Sequence, residues 1–427
     1  MSPHQRPILL DLSRLVSRAG RGTLTGIDRV ELAYLDRTLA APAAVFGLVR
    51  SAPGYILLDR GGLAHLARRL RGQDPWGRPD LIARLHLRQP PARRRALSDL
   101  RRIALCWSLP RGLEASLRRH LPANVTYLNV GHANISRRTL DAVRKLPQAR
   151  IGVLLHDTIP LDHPAFASPG VPEAFDEKIA HIARYADWCI CNSDVTRRAA
   201  ERHLARHGRV PAICVAHLGI TVPQPGDGAL PRNIDPERPH FVVLGTIEPR
   251  KNHALLLDVW ERIAQESPAG TAHPQLVIIG ARGWRNADVF ARLDGSPQMG
   301  RDIHELGPVD DATAAAVLRG ADALLFPSLA EGFGLPALEA AALGTPVICS
   351  DLPVFREILG TYPLYADPSD TYAWVRLVGS ATGSGIRNAG TARPPAIPDW
   401  EAHFAHVSEA LDTDMRNHGA ARQRDVR

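Results

Sequence analysis

The segment Ser328–Asp351 reads SLAEGFGLPALEAAALGTPVICSD and follows a short apolar run, Ala323–Phe326. The run predicts a buried strand, the Gly-Phe-Gly-Leu stretch predicts a loop, and Pro336 suits the first position of a helix. The apolar run Pro346–Ser350 predicts the next strand. A strand, a glycine-rich loop, a helix and a further strand are typical of a parallel α/β sheet. Ligands bind such sheets beyond the carboxyl ends of the strands.

The same alternation of strands and helices recurs on both sides of a Pro- and Gly-rich segment. We therefore predict an α/β protein in which two Rossmann-like, doubly wound domains face each other across a cleft. In the tail, Trp400 and Phe404 are four residues apart in an amphipathic helix that could cross back to the first domain. The predicted divisions are the N-terminal domain (1–220), the linker (221–239), the C-terminal domain (240–380) and the tail (381–427).

Positive charge is concentrated in the first part of the chain. Residues 1–150 contain 27 Lys and Arg against 10 Asp and Glu, whereas the whole 427-residue chain has a net charge of +8. Residues 93–105 predict a basic amphipathic helix with Leu97 and Leu100 on its apolar side. This pattern fits an anionic membrane surface, or simply a solvated arginine-rich face. Few aromatic residues lie between the arginines, so we expect no nucleic acid as a partner.

Apolar runs are much shorter than the roughly 20 residues that span a membrane, and the N-terminus lacks the pattern of a secretory signal. The cysteines number five, and Cys189 and Cys191 alternate in a predicted strand, as small buried residues do. We expect a cytoplasmic protein. The alternative is peripheral attachment to the inner face of a membrane.

The loop Gly332–Leu335 is the first candidate site. Free N–H groups at a helix N-terminus, next to glycines that allow close approach, favour a phosphate. Glu339 would lie in the first helical turn and stay ionised there, able to accept hydrogen bonds from a diol such as ribose. Glu331 would lie on the loop at the strand end. The alternative is that Glu339 merely supports the helix and Glu331 caps a turn.

A second candidate site is VVLGTIEPRKNH (Val242–His253), where Arg250 and Lys251 follow a predicted strand. Adjacent cations at a strand end can bind a diphosphate and stabilise charge that develops on a leaving group. A solvated pair at a helix start is the alternative. Cations oppose the helix dipole there, which favours the anion-binding interpretation.

Two further motifs lie in the N-terminal half. LLHDTIPLDHP (Leu154–Pro164) places His156 and Asp157 after a strand, where they could bind sugar hydroxyls or handle protons. A histidine in such a place can also be purely structural. In TGIDRVELAYL (Thr25–Leu35), Gly26 precedes a predicted helix.

Together these segments resemble the retaining nucleotide-sugar glycosyltransferases of family 4, which have the GT-B fold. The similarity covers residues 240–370 and rests on G-x-x-x-x-R-K-N and P-S-x-x-E-G-F-G-L-P-x-x-E-A-x-A-x-G-x-P-V. The resemblance implies that residues 1–220 are the acceptor-side domain and residues 240–380 the nucleotide-sugar-binding domain. It also implies that Glu331 contacts the donor sugar and Glu339 the ribose. Residues predicted to act in catalysis are His156, Asp157, Glu331, Arg250 and Lys251. Residues predicted to bind the donor are Gly26, Gly245, Thr246, Val309, Ser328, Gly332, Phe333, Gly334, Leu335 and Glu339.

The N-terminal segment DLSRLVSRAGRGTLTGIDRV (Asp11–Val30) together with HDTIPL resembles a bacterial subset that assembles polysaccharides. The implied reaction transfers a hexose, with mannose favoured, to a saccharide or lipid-linked saccharide. The implied donor is GDP-mannose, with a UDP-sugar as the other option. No cofactor or metal is expected, and the Asp-Thr-Asp of residues 412–414 is interpreted as solvated. The alternatives are a sugar-nucleotide epimerase of the same fold and a non-catalytic nucleotide-sugar-binding protein.

Overall fold

A computed structural model of the protein describes seven stretches of the chain. These are residues 6–20, 26–86, 88–222, 224–226, 230–268, 270–382 and 395–410. The Asp-Thr-Asp of residues 412–414 and much of the predicted tail lie outside them. Within the described residues, no helix combines the length and apolar character needed to cross a bilayer.

The first domain is built on an eight-stranded sheet with the order β4-β3-β2-β1-β5-β6-β7-β8. Its strands are β1 (Ile8–Asp11), β2 (Val45–Arg50), β3 (Tyr55–Leu58), β4 (Cys106–Ser108), β5 (Thr126–Asn129), β6 (Arg150–Leu155), β7 (Trp188–Cys191) and β8 (Ala212–Val215). The pairs β2–β3 and β3–β4 are antiparallel and the other pairs are parallel, so the sheet is mixed and not purely parallel.

Among the described residues of this domain, ten α-helices accompany the sheet. They are α1 (Ser13–Ser17), α2 (Gly26–Ala40), α3 (Arg60–Leu70), α4 (Leu81–Leu85), α5 (Pro91–Arg102), α6 (Leu113–His120), α7 (Arg137–Arg144), α8 (Ile159–Asp162), α9 (Val171–Tyr185) and α10 (Asp194–Ala205). Polar residues begin several of them, as at Ser193, whose hydroxyl accepts a hydrogen bond from the Thr196 amide.

The second domain has a six-stranded, all-parallel sheet with the order β11-β10-β9-β12-β13-β14. Its strands are β9 (His240–Leu244), β10 (Gln275–Ile279), β11 (Ile303–Gly307), β12 (Ala323–Phe326), β13 (Val347–Ser350) and β14 (Leu364–Ala366). Its helices are α11 (His253–Glu266), α12 (Ala287–Gly295), α13 (Asp311–Gly320), α14 (Leu335–Ala342), α15 (Pro353–Leu359) and α16 (Thr371–Ala381).

Strand order fixes where a ligand can bind. The sheet of the second domain reverses its direction of growth between β9 and β12, and the crevice at such a switch point is where open α/β sheets hold ligands. The loops after these two strands, 245–252 and 327–334, meet there through a 2.7 Å hydrogen bond from the Leu329 amide to the Arg250 carbonyl. In the first domain, His156 directly follows β6 at the carboxyl edge of the sheet.

Residues 400–410 form a tail helix that packs against the first domain. The Nε2 atom of His403 lies 2.8 Å from the Tyr34 hydroxyl of α2. The Phe404 ring packs edge-on against the Tyr34 ring with the ring centres 5.0 Å apart. The Ile220 amide donates a 2.9 Å hydrogen bond to the Pro398 carbonyl. The chain therefore returns to the first domain after completing the second.

Two expectations about the first domain can be compared with the structure. The basic helix is α5, but Leu97 and Leu100 are 3% and 0% exposed, so its apolar side packs on the core and cannot face a membrane. Cys189 and Cys191 are free and buried in β7. Burial raises the pKa of both thiols, which keeps them protonated.

Candidate functional site

Glu331 is the centre of a buried charge cluster at the switch point. Its Oε1 atom lies 2.5 Å from Lys251 Nζ, and its Oε2 atom lies 2.9 Å from an Arg250 Nη atom. The Ser328 hydroxyl donates a 2.8 Å hydrogen bond to Oε1. Arg250 also contacts Glu248 through its Nε atom at 2.8 Å. Two cations and two carboxylates thus balance each other.

The opposite charges of this cluster stabilise one another in their ionised forms. Burial disfavours the Glu331 carboxylate, but Arg250 and Lys251 outweigh it and lower the Glu331 pKa to about 2. Burial lowers the pKa of Lys251, and Glu331 opposes that shift. The Lys251 side chain is only 9% exposed and its ammonium lies 4.5 Å from the centre of the Phe326 ring. Arg250, at 25% exposure, is the more accessible cation for an incoming anion.

The predicted phosphate loop has a conformation that only glycine adopts easily. Gly334 caps α14 with φ of +97°, and a Cβ on it would come within 2.8 Å of the Phe355 ring. Phe333 is 4% exposed, so this residue can offer a ligand its backbone but hardly its side chain. Leu335, the first helical residue, is half-buried. The free amides of this helix start are available for an anion.

Glu339 differs from the sequence prediction in its local environment. Because α14 begins at Leu335, Glu339 lies in the second turn, beyond the reach of most of the dipole effect. Burial raises the pKa of Glu339, and Arg29 opposes that shift. Arg29 of α2 contacts Glu339 Oε1 at 2.5 Å and Asp311 at 2.7 Å. A cation from the other domain, not the dipole, therefore supports the charge of Glu339.

His156 is a buried, neutral imidazole. Its Nε2 atom lies 2.7 Å from the Val130 carbonyl oxygen. Because a carbonyl only accepts, Nε2 carries the proton and Nδ1 carries the lone pair. Burial lowers the His156 pKa to about 4, although the bond to Val130 opposes this shift. The neutral ring can accept a hydrogen bond at Nδ1 but has no second proton to donate as an acid.

Asp157 and Gly332 form a close contact between the two domains. A Cβ on Gly332 would lie 2.4 Å from the His156 carbonyl oxygen and 2.8 Å from Asp157 Cβ. Burial raises the pKa of Asp157, and Arg250 opposes this shift. At the same end of the cleft, Glu357 of α15 accepts hydrogen bonds from the amides of Asp194 and Val195 at 2.6 and 3.1 Å. The two domains thus touch each other at this end of the cleft.

The remaining predicted residues lie around these groups. Gly26 begins α2, and a Cβ there would be 3.1 Å from Leu335. Gly245 has φ of +141°, with Lys251 Cε 3.5 Å from where its Cβ would be. Thr246 follows it, with its methyl group 2.6 Å from a Cβ built on Gly283. Val309, half-buried just before α13, packs on the apolar core.

Solved structures with the same architecture cover almost the whole chain. HepE from Anabaena, in complex with UDP and glucose, aligns with a TM-score of 0.56 over 99% of this chain and 100% of its own, at 14% identity. Sucrose-phosphate synthase from Thermosynechococcus elongatus aligns with a TM-score of 0.57 over 98% of this chain and 100% of its own, at 17% identity. The chain has the GT-B fold. The sequence prediction of two Rossmann-like domains in this arrangement is confirmed.

The second GT-B domain also matches a family model, described as "Glycosyl transferases group 1", over residues 238–381. Of curated proteins, the serotype-specific mannosyltransferase WbdA of Escherichia coli is 33% identical over 237 residues. That alignment covers 51% of this chain and 28% of WbdA, so the chain spans well under two thirds of this relative. The expectation of a glycosyltransferase domain in the second half is confirmed.

Three residues of this GT-B cleft were not singled out from the sequence. Arg29 and Asp311 flank Glu339, and the ring of His132 lies 5.0 Å from that of His156. Arg29 follows the predicted glycine Gly26 by three residues in the first turn of α2. A cation at that position opposes the helix dipole, which was a usable sign that it has an anionic partner elsewhere.

A cavity of about 1280 Å³ extends from Glu339 between the two GT-B domains. Arg29, Asp311 and Leu335 line it at the Glu339 end, while Trp400 and Phe404 of the tail helix line it farther along α2. Its volume exceeds the 300–1,000 Å³ typical of small-molecule sites. The ribose-binding candidate therefore opens onto enough space for the rest of a nucleoside.

Proposed function

We propose that the protein is a retaining glycosyltransferase of family 4. It would move a hexose, with mannose favoured, from a nucleoside diphosphate sugar to a hydroxyl of a saccharide or lipid-linked saccharide. The observation that carries the proposal is the placement of Glu331 and Glu339 at the two ends of a glycine-rich helix start, opposite His156 of the other domain.

The loop and the charge cluster suit a diphosphate. The amides at the start of α14 would hold the phosphoryl oxygens, and Arg250 would turn from Glu248 toward them. The bond from C1 of the sugar to the phosphate oxygen breaks in this reaction, so negative charge grows on the departing diphosphate. Fixed cations and amides aimed at that charge stabilise the transition state.

The groups on the sugar side suit binding more than acid catalysis. Glu331 is ionised, with its pKa at about 2, and can accept hydrogen bonds from sugar hydroxyls. His156, neutral, can accept one more at Nδ1. A diphosphate leaves without a general acid. The acceptor oxygen would bond to C1 on the face that the diphosphate leaves, and its proton would pass to the departing phosphate oxygen, which retains the anomeric configuration.

Similar proteins and the size of the cavity support the choice of donor. The similarity to WbdA, named as a mannosyltransferase, favours mannose and hence GDP-mannose. The fold relative HepE was solved with UDP and glucose, which keeps a UDP-sugar as the second option. The cavity beside Glu339 has room for either base. We place the reaction in the cytoplasm, at the inner face of a membrane in polysaccharide or glycolipid assembly.

The test is a panel of GDP- and UDP-sugars incubated with and without octyl glycosides as acceptors, in EDTA and in Mg²⁺. We expect release of the nucleoside diphosphate and a glycoside whose new linkage keeps the anomeric configuration of the donor by NMR. An isomerised sugar nucleotide formed without acceptor would favour the epimerase. Tight binding of a nucleotide sugar with neither hydrolysis nor transfer would favour the non-catalytic protein.

A further inference from the structure

Exposed apolar side chains are concentrated in one part of the first domain. The structure has large apolar side chains at least 38% exposed on both domains, and five of them fall between residues 81 and 109. Leu81 and Leu85 of α4 are 76% and 83% exposed, and Leu109 is 59% exposed. Leu105 and Trp107 are 39% and 38% exposed. Such grouping is unusual on a surface that meets only water.

The exposed apolar side chains on and beside β4 lie on one face of the sheet. Trp107 pairs directly with Ile56 of β3, which belongs to the core beneath α3 and α5. Side chains alternate along a strand, so Leu105 and Leu109 point to the same side as Trp107. Cys106 points to the other side, where it meets Ser116 of α6. The edge strand therefore offers three apolar groups on the α5 side.

The turn between β2 and β3 joins this face to α4. Pro53 in that turn lines a small gap with Ile82 and His86 at α4. A Cβ on its neighbour Gly54 would be 3.1 Å from Leu109 Cα. The leucines of α4 and Leu109 thus lie beside the same turn, whereas Leu105 is bonded to Leu57 at the other end of β3. We call these five side chains, Leu81, Leu85, Leu105, Trp107 and Leu109, the leucine surface.

Arginines accompany the leucine surface. Residues 81–120 contain ten arginines, no lysine and two acidic residues, a net charge of +8 that equals the charge of the whole chain. Arg84 and Arg88 adjoin the leucines of α4, and Arg111 follows Leu109 by two residues. All three are exposed, and within the described residues they form no ion pair. Arg101, in contrast, is held by Asp80 at 2.6 Å.

We propose that the leucine surface and these three arginines dock the protein on an anionic lipid bilayer. Leucines and a tryptophan can enter the interfacial region while arginines keep their charge among lipid phosphates. Each basic residue near such a surface adds to its attraction for the bilayer. Charge decides against a second copy as occupant, because two such surfaces would bring six unpaired arginines together.

The position of the leucine surface agrees with a lipid-linked acceptor, and to that extent the inference rests on the proposed function. The β2–β3 turn follows the carboxyl end of β2, which runs parallel to β6 through β1 and β5. His156 follows β6 at the same edge. Four strand spacings, about 19 Å, separate β3 from β6. A saccharide carried by a lipid could reach the cleft from a bilayer at this distance.

The test is co-sedimentation of the full chain with vesicles of phosphatidylcholine alone or with 30% phosphatidylglycerol, without donor or acceptor. The apolar variant is L81S/L85S/L109S and its matched control is V171S/V210S/Y372S, three exposed apolar residues elsewhere. The charge variant is R84Q/R88Q/R111Q and its control is R138Q/R232Q/R376Q. Thermal unfolding confirms that each variant is folded.

We expect binding to phosphatidylglycerol vesicles only, weakened at least tenfold in both test variants and unchanged in both controls. Absence of binding by the unaltered chain, or equal loss in test and control variants, would overturn the inference. So would self-association in sedimentation velocity that L81S/L85S/L109S abolishes while vesicle binding is absent. Transfer to a soluble acceptor, measured in parallel, separates a failure of docking from a failure of the proposed function.

Discussion

Arg29 of α2 and Glu339 of α14 form a 2.5 Å ion pair across the cleft although they lie 310 residues apart. The carboxylate proposed to hold the ribose is therefore already occupied by a cation of the other domain. The same guanidinium also contacts Asp311. A ribose diol can bind Glu339 only if this pair rearranges, so the donor competes with Arg29 for the carboxylate.

R29A should therefore tighten the binding of GDP, because it removes that competitor. A partly exposed pair is worth up to about 1 kcal/mol, which corresponds to roughly fivefold in Kd. Isothermal titration calorimetry provides the measurement. The control is 2′,3′-dideoxy-GDP, which lacks the diol and should bind R29A and the unaltered protein equally. Weaker GDP binding by R29A would mean that the arginine is itself a donor contact.

E331Q should lower transfer by a factor of about 100 or more, since it removes the charge that receives the sugar hydroxyls. Glutamine is preferable to alanine because Glu331 is buried against Arg250 and Lys251. Both changes remove the charge of one partner of a buried ion pair, which costs about 3–5 kcal/mol of stability, but glutamine keeps an oxygen that can accept hydrogen bonds from Arg250 and Lys251. Initial rates and the melting temperature should be measured together. A folded E331Q that transfers at the unaltered rate would contradict the proposed role.

G332A should slow transfer at least tenfold, because the new Cβ would lie 2.4 Å from the His156 carbonyl and force the domains apart. The φ of Gly332 is not in the left-handed region, so backbone strain does not add to this effect. G379A is the matched control, with nothing within 4 Å of its new Cβ. Steady-state rates provide the measurement. Equal rates for both variants would show that this contact is not needed in the reaction.

Local patterns in the sequence were sufficient to predict the fold and the charged loops of the second domain. Twenty consecutive residues contain the strand Ala323–Phe326, the glycine loop and the helix that carries Glu339. The GT-B fold that was predicted with their help is confirmed. The start of α14 was placed one residue late, because proline can occupy more than one position in the first turn. That small error moved Glu339 wrongly into the range of the helix dipole.

Contacts between distant segments could not be predicted in the same way. Nothing near Glu339 in sequence indicates that Arg29 neutralises it, because the two meet only when both domains are assembled. The amphipathic pattern of α5 correctly predicted a helix with one apolar side. It could not tell whether a membrane or the core covers that side, and the core does. Leu81 and Leu85 of α4 have a helical spacing of four residues, but that spacing does not reveal that they face outward.

Buried His403 of the tail helix should make the stability of the folded protein depend on pH. It is 1% exposed, accepts a hydrogen bond from the Tyr34 hydroxyl and donates one from Nδ1 to the His217 carbonyl at 2.9 Å. Burial lowers its pKa to about 4, although its hydrogen bonds to the backbone oppose this. Between pH 6.5 and 4 the unfolded chain therefore binds a proton here that the folded chain does not. This part of the stability is complete above pH 6.5 and is lost as the pH falls.

H403Q cannot take up that proton, so its deficit in unfolding free energy relative to the unaltered protein should shrink as the pH falls. Between pH 7.5 and 5.0 the gap should narrow by about 2 kcal/mol, given a pKa near 6.5 in the unfolded chain. Urea unfolding at the two pH values measures it. H406Q controls for the loss of a histidine from the same helix. A gap independent of pH would mean that His403 takes up its proton as readily in the folded as in the unfolded chain, and that its packing on Tyr34 differs from that described.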